Sequence, residues 1–394
     1  MTHTTGSHTT GSHTTGARAG DSRKVVLANP WLPPDVRRGS EVVMSELAGW
    51  LSRHGWEPEL LGGALPQARS RPASRPRGED LIEGVASRRV KAPIERSWPG
   101  GLDRDASLVP VMAREMRRVR PAVVHSFHYT DAAAARLARL PYIATCEGIP
   151  LRCSFSGKPL HRALLAMGWS GAAILVSPSR AVADHLRITF ALASEVVPNG
   201  IDISRYEGLS EQRIPGMIVC AAAPEDRRKR AEVLVDAFGI LGTRMPEAQL
   251  VFVAGPVSKV REEALLARLD ARRRERVRFL GQVERAELLR WYARASATCL
   301  PSVNEAFGMV LVESMAAGTP VVGARHGAIP EIVTDSTGAT FAPDDPSSCA
   351  RALEEVLSWD DERCVAEACR ARAACYDWSC VGPLVAELYT RAAP

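Results

Sequence analysis

The 394-residue chain predicts an α/β protein of two Rossmann-like domains facing a central cleft. Short apolar runs of strand length alternate with helical patterns of ten or more residues, the mark of parallel strands joined by helical crossovers. The alternation runs through two successive series of about 170 residues, and a chain of this length suits two or three ordinary domains. Hydrophobic residues at 46% against 24% charged supply apolar mass for more than one core.

Residues 1–22 stand apart from both series. A Thr-Thr-Gly-Ser-His unit repeats there, placing His3, His8 and His13 in a stretch almost without apolar side chains, so it reads as a disordered tail. The first domain, 23–195, opens with Lys24-Val25-Val26-Leu27-Ala28 as a buried strand closed by Asn29-Pro30. After the loop through Gly39, Val42, Val43, Leu47 and Leu51 share one helix face, and a second strand follows at 56–61. Pro66 to Asp80, with Arg69, Arg71, Arg75 and Arg77 among Pro and Ser, reads as an exposed mobile loop. A helix near 107–119, strand 122–126, helix 131–139, strand 141–145 and an apolar helix near 160–169 come next. Ile174-Leu175-Val176-Ser177 reads as the last strand of this half. The second domain, 196–375, has strands at 217–221, 249–254, 296–300 and 320–323. Its helices fall at 230–242, 259–274, 284–293, 309–317 and 346–357.

Fifty Lys and Arg against 45 Asp and Glu leave a net charge of +5, spread too thinly to argue for a nucleic-acid partner. No apolar run reaches the roughly 18 to 20 residues that span a bilayer, and the N-terminus lacks the pattern of a secretory signal. The nine cysteines never form Cys-x-x-Cys, the usage of reduced thiols in a cytoplasm. A cytoplasmic protein is the expectation.

Chemistry concentrates in Asn304-Glu305-Ala306-Phe307-Gly308-Met309-Val310-Leu311-Val312-Glu313, where two glutamates stand eight positions apart. Glu305 would end a strand and the turn through Gly308 would open a helix. The amides of Phe307, Gly308, Met309 and Val310 would then face an anionic or hydroxyl-rich ligand. Glu313, two turns along, would lie on the same side of that helix.

This stretch resembles the Glu-x7-Glu signature of retaining glycosyltransferases of family 4, which have the GT-B fold. Ala317-Gly318-Thr319-Pro320-Val321-Val322, Gly327-Ala328-Ile329-Pro330-Glu331-Ile332-Val333 and Val197-Pro198-Asn199-Gly200-Ile201-Asp202 continue the resemblance. So does Val277-Arg278-Phe279-Leu280-Gly281, similar to the segment packed near the nucleotide base. Trp378 through Tyr389 resembles the terminal helix of that fold, so 376–394 is expected to cross back onto the first domain. The resemblance implies that Glu305 contacts the donor sugar, Glu313 holds the ribose and Lys229 neutralises the diphosphate. Members often carry a Gly-Arg pair where this chain reads Ala222-Ala223-Pro224, so Arg228 is the candidate for the missing guanidinium. Gly39 stands where the family usually has two glycines approaching the diphosphate. His125-Ser126-Phe127-His128-Tyr129-Thr130-Asp131 resembles the His-x-His-Tyr-x-Asp pattern of sucrose-phosphate-synthase-like members, with one residue extra. His128 is the residue expected to face the donor sugar, with His125 as the alternative.

Glu147 stands where the family commonly has histidine, and lines the expected acceptor side. An acid there suits a cationic acceptor such as an aminocyclitol, and a looser resemblance is to members that build aminoglycoside antibiotics. Asp103-Arg104-Asp105 spells the Asp-x-Asp of metal-dependent transferases, but it follows Trp98-Pro99-Gly100-Gly101 rather than a hydrophobic strand. It reads as a loop or helix start, and neither a metal nor a cofactor is expected. The whole predicts a retaining, metal-independent hexosyltransferase taking a UDP-sugar, or else a GDP-sugar, to a small polar acceptor. Two rivals stand beside it. One is a peripheral-membrane enzyme using a lipid-linked or polysaccharide acceptor, suggested by Arg114, Arg117, Arg118 and Arg120 on one helix. The other is a catalytically silent sugar-nucleotide-binding protein.

Overall fold

The computed structural model describes residues 23–33, 39–64, 80–82, 84–209, 211–255 and 257–393. The low-complexity segment 1–22, residues 34–38 ahead of Gly39 and most of the Arg-Pro-Ser loop lie outside the described residues.

The first half comprises β1 (Lys24–Ala28), α1 (Gly39–Arg53), β2 (Glu57–Ala64), β3 (Asp80–Ile82), β4 (Val85–Lys91), α2 (Arg104–Val119) and β5 (Val123–Ser126). It continues with α3 (Tyr129–Ala138), β6 (Tyr142–Thr145), α4 (Pro159–Ser170), β7 (Ile174–Ser177), α5 (Arg180–Phe190) and β8 (Glu195–Val196). Its eight strands form one sheet in the order β3-β4-β2-β1-β5-β6-β7-β8, parallel except for the β3–β4 pair.

The second half begins with β9 (Met217–Cys220), α6 (Ala231–Leu241), β10 (Gln249–Phe252), α7 (Lys259–Leu266), α8 (Ala271–Arg274), β11 (Val277–Phe279) and α9 (Arg285–Arg294). β12 (Ala297–Leu300), α10 (Met309–Ala316), β13 (Val321–Ala324), α11 (Ile329–Ile332), β14 (Gly338–Phe341), α12 (Pro346–Leu357), α13 (Glu362–Ala374) and α14 (Trp378–Ala392) complete it. Here six parallel strands run in the order β11-β10-β9-β12-β13-β14.

Several elements differ from the sequence expectation. β7 is not the last strand of its half, because β8 adds a two-residue edge beyond it, too short to carry a pattern. The expected helix at 259–274 is two helices, since the Asp270 carboxylate accepts from the Arg273 amide and caps a new turn. Asp103 is likewise a helix cap: Oδ1 accepts from Ala106 N at 3.0 Å, and Oδ2 lies 2.8 Å from His161 Nε2.

α14 returns to the first half. Trp378, Val381, Val385, Leu388 and Tyr389 share one buried core with Val25, Val43, Leu47 and Trp50. Two glycines allow the contact. A Cβ at Gly200 would fall 2.5 Å from the Trp378 ring, and one at Gly382 would fall 2.4 Å from the Trp50 ring. No helix among the described residues is long and apolar enough to cross a membrane.

Trp378 also donates its indole N–H to Glu46 Oε2 at 3.2 Å. Trp378→Ala is therefore expected to cost about 3–5 kcal/mol, read as a lowered urea midpoint. An unchanged midpoint would mean that α14 contributes nothing to this core.

Candidate active site

In parallel α/β sheets, ligands bind beyond the carboxyl ends of the strands, and here those ends of the two sheets meet. A Cβ at Gly39, which starts α1 after β1, would lie 3.8 Å from Cγ of Met309, which starts α10 after β12. Ser179, just past β7, donates its hydroxyl to the Ala306 carbonyl at 2.8 Å. The Glu331 carboxylate caps α5 from the other domain, accepting from Arg180 N at 3.0 Å and Ala181 N at 2.8 Å.

The segment between β12 and α10 is held from several sides. Asn304 adopts φ of 57° and donates its amide to His326 Nδ1 at 3.0 Å, while Val303 N donates to the Arg228 carbonyl at 2.9 Å. Gly327 must be glycine, because a Cβ there would sit 2.3 Å from the Glu305 carbonyl oxygen. Ala306 is buried in the core of the first domain. The Phe307 ring packs edge-on against Tyr376, ring centroids 5.4 Å apart, so only its backbone faces the site. Gly308 caps α10 at φ of 106°, a conformation that favours glycine.

Lys229 stands at the end of the short turn before α6 and donates Nζ to Glu305 Oε2 at 2.8 Å. The pair is partly buried, so it is less screened than a surface pair. Arg228, adjacent in sequence, donates Nε and Nη2 to the two Asp226 oxygens at 3.1 and 2.7 Å, and Glu305 is near enough to act on its charge. The guanidinium is exposed and shares a carboxylate two residues away.

Glu313 is buried on α10 and held by two donors. Arg285 Nη1 donates to Oε1 at 2.6 Å and the Tyr292 hydroxyl donates to Oε2 at 3.0 Å. Arg285 Nη2 donates to the Tyr206 hydroxyl at 3.0 Å. None of these three partners was identified from sequence. Arg285 does leave a trace there, as a cation at the first position of a helix, where the dipole favours an anion. Such a residue calls for a carboxylate from elsewhere in the fold.

On the first domain, the two histidines have different surroundings. His125 is buried in β5, with Nδ1 2.8 Å from the Tyr389 hydroxyl of α14 and Nε2 2.7 Å from Thr145 Oγ1. Burial pushes its pKa down to about 3, and both ring nitrogens are engaged within the protein. His128 is half-buried and caps α3. Thr130 N donates to its Nδ1 at 3.4 Å and the Thr130 hydroxyl lies 2.7 Å away, which places the ring proton on Nε2. Burial, with a contribution from His161, pushes its pKa down to about 4. His128 is thus a neutral hydrogen-bond donor near pH 7. Asp131, three residues on, is fully buried, and burial raises its carboxyl well above the usual range.

Glu147 Oε2 accepts from Asn199 Nδ2 at 2.9 Å, across the junction between the halves. Its other oxygen is buried without a hydrogen-bond partner. Burial pushes its pKa up to about 7, so the carboxyl is part neutral at neutral pH, which weakens the pull expected on a cation. Among the described residues, no cluster of three or more His, Cys, Asp or Glu side chains is arranged to hold a metal.

Two domains with parallel sheets meeting at their carboxyl ends, with a Lys-paired glutamate at the seam, define the GT-B class. Family profiles agree on both halves: "Glycosyltransferase Family 4" matches residues 37–205 and "Glycosyl transferases group 1" matches residues 215–358. The chain belongs to the glycosyltransferase group 1 / family 4 superfamily.

A phosphatidyl-myo-inositol mannosyltransferase of Propionibacterium freudenreichii is 33% identical over 229 residues, 56% of this chain and 56% of that protein. A D-inositol 3-phosphate glycosyltransferase of Streptomyces avermitilis is 35% identical over 175 residues, 42% of this chain and 37% of that protein. The chain thus matches less than two thirds of the length of either relative. Among solved structures, sucrose-phosphate synthase from Thermosynechococcus elongatus superposes with a TM-score of 0.76 at 18% identity, covering 94% of this chain and 98% of that one. Anabaena HepE, solved with UDP and glucose, gives 0.72 at 18% identity, covering 93% and 99%.

The contrast between the histidines is measurable by NMR on ring-labelled protein. The His128 resonance is expected to stay in its neutral position from pH 8 down to about 5, because the folded form resists protonation until about pH 4. Titration near the ordinary 6.5 would show the ring to be solvated instead.

Proposed function

We propose that the chain is a retaining, metal-independent hexosyltransferase that takes the sugar of a nucleotide donor, UDP ahead of GDP, to a hydroxyl of a small polar acceptor. The observation carrying this reading is the Lys229–Glu305 pair, 2.8 Å apart, at the N-terminus of α10 where the two sheets face each other. A cation for the diphosphate then adjoins a carboxylate for the sugar hydroxyls, and the α10 amides add partial positive charge. Anabaena HepE, a protein of the same fold also solved with UDP-glucose, supports a UDP-sugar.

Within this reading, reaction proceeds on the front face. The bond from the anomeric carbon to the diphosphate oxygen breaks, and the acceptor oxygen bonds to the same carbon from the same side. The acceptor proton passes to the departing phosphate oxygen. His128, neutral with its proton on Nε2, donates a hydrogen bond to the sugar rather than removing a proton. Domain closure aligns donor and acceptor.

The inositol-acting names of the sequence relatives favour a cyclitol acceptor. An aminocyclitol of antibiotic-type assembly is the finer form of this proposal, resting on Glu147. The phosphatidyl-myo-inositol name of the first relative favours, as a second reading, a lipid-linked acceptor reached by the exposed arginines of α2. Co-sedimentation with anionic vesicles separates the two.

Release of nucleoside diphosphate from UDP- and GDP-sugars, with and without cyclitol acceptors, tests the main reading. Glu305→Gln and Lys229→Ala are each expected to lower acceptor-stimulated release about 10²- to 10³-fold. Sugar-nucleotide binding without release on any acceptor would favour a silent binder. For a cationic acceptor, affinity should rise between pH 6 and 8 as Glu147 ionises around 7, and the rise should vanish in Glu147→Gln. A pH-independent affinity would remove Glu147 from acceptor recognition.

A further inference from the structure

Glu305 stands on a loop, between the end of β12 and the start of α10. No ladder or helix bond fixes its backbone, so the direction of its carboxylate depends on what grips the chain on either side. Residues 326–328, in the turn after β13, supply both grips. Ala328 N donates to the Glu305 carbonyl at 3.0 Å. One residue ahead of Glu305, the Asn304 amide donates to His326 Nδ1 at 3.0 Å. Gly327, between the two, leaves no room for a side chain against the Glu305 carbonyl.

Of these two hydrogen bonds, only the one at Asn304 is accepted by a side chain. Asn304 has φ of 57°, and a residue other than glycine keeps such a conformation only when its surroundings over-determine it. The preceding amide, Val303 N, donates to the Arg228 carbonyl, next to Lys229. This short stretch therefore sets where Glu305 stands relative to its cation. The His326 ring is half-buried. Because Nδ1 accepts from an N–H, the ring proton lies on Nε2.

We propose that His326 is a positioning residue for sugar transfer: through Nδ1 it holds the Asn304 amide and so directs the Glu305 carboxylate toward Lys229 and the donor sugar. The proposal rests on the reading of Glu305 given above. It assigns His326 no contact with the reacting atoms.

Two amide side chains separate the ring nitrogens. Asn sets its carbonyl oxygen where Nδ1 stands, whereas Gln reaches the place of Nε2 and leaves Asn304 without its acceptor. His326→Asn, His326→Gln and His326→Ala are compared for nucleoside diphosphate release from UDP- and GDP-sugars with cyclitol acceptors, both in the wild-type chain and in Glu305→Gln. The expected kcat falls about 10- to 100-fold in His326→Gln and His326→Ala, as one partner of a hydrogen bond is lost, and stays within about threefold of wild type in His326→Asn. Added to Glu305→Gln, His326→Gln should lower release by less than about twofold more, because the carboxylate it directs is already gone. A misfolded His326→Ala leaves the comparison of Asn with Gln standing. Equal rates in His326→Asn and His326→Gln, whether kept or lost, would overturn the proposal, and so would additive losses in the Glu305→Gln chain. An active His326→Gln beside an inactive His326→Asn would overturn it too, with Nε2 as the working atom. A wild type that releases nothing from any donor, or a fully active Glu305→Gln, would overturn the donor reading and the proposal with it.

Discussion

The site depends on a single residue being in the wrong domain. Ala306 follows Glu305 in the chain of the second half, yet its side chain lies in the core of the first, and its carbonyl accepts the Ser179 hydroxyl. The segment carrying Glu305 is therefore positioned by both halves at once. Glu331 reinforces the seam by capping α5 with both carboxylate oxygens. A helix N-terminus buried without such partners would leave amides unsatisfied, so this cap ties the relative placement of the domains to the stability of one helix.

Electrostatics at the seam follow from how each acid is matched. Glu305 has an ammonium and Glu313 a guanidinium with a phenol. Glu46, deep in α1, accepts from the Asp202 amide and the Trp378 indole, yet burial pushes its pKa up to about 7 even with Arg205 and Arg285 nearby. Glu147 is raised similarly by burial, against a single amide donor. In Glu46 and Glu147 alike, desolvation outweighs the nearby donors and, for Glu46, the Arg205 cation.

Much of this was legible in sequence, where local chemistry decides. The alternation of apolar runs and amphipathic stretches gave both sheets, and the Glu305–Glu313 spacing marked the helix on which the site is built. Edge strands escaped because they are short: β8 has two residues and β3 has three. α5, α13 and β14 also went unread. His128 was set ahead of His125 on resemblance alone, because what separates the two rings is non-local. His125 meets a hydroxyl 264 positions away, whereas His128 is defined by Thr130 two residues on. Arg228 is the opposite case, with its partner Asp226 only two residues away.

The path of α14 bears on the order in which the polypeptide matures. During synthesis, N-terminal domains ordinarily fold first, as they emerge. Here the core of the first half includes Trp378, Leu388 and Tyr389, so it stays open until α14 has been translated. A domain begun at β1 closes only after the whole second half has followed it. A recombinant exchange of acceptor halves between relatives meets the same constraint. The transferable unit is two separate pieces of gene, one on either side of the second domain, and a graft of the first alone would arrive with its hydrophobic face uncovered.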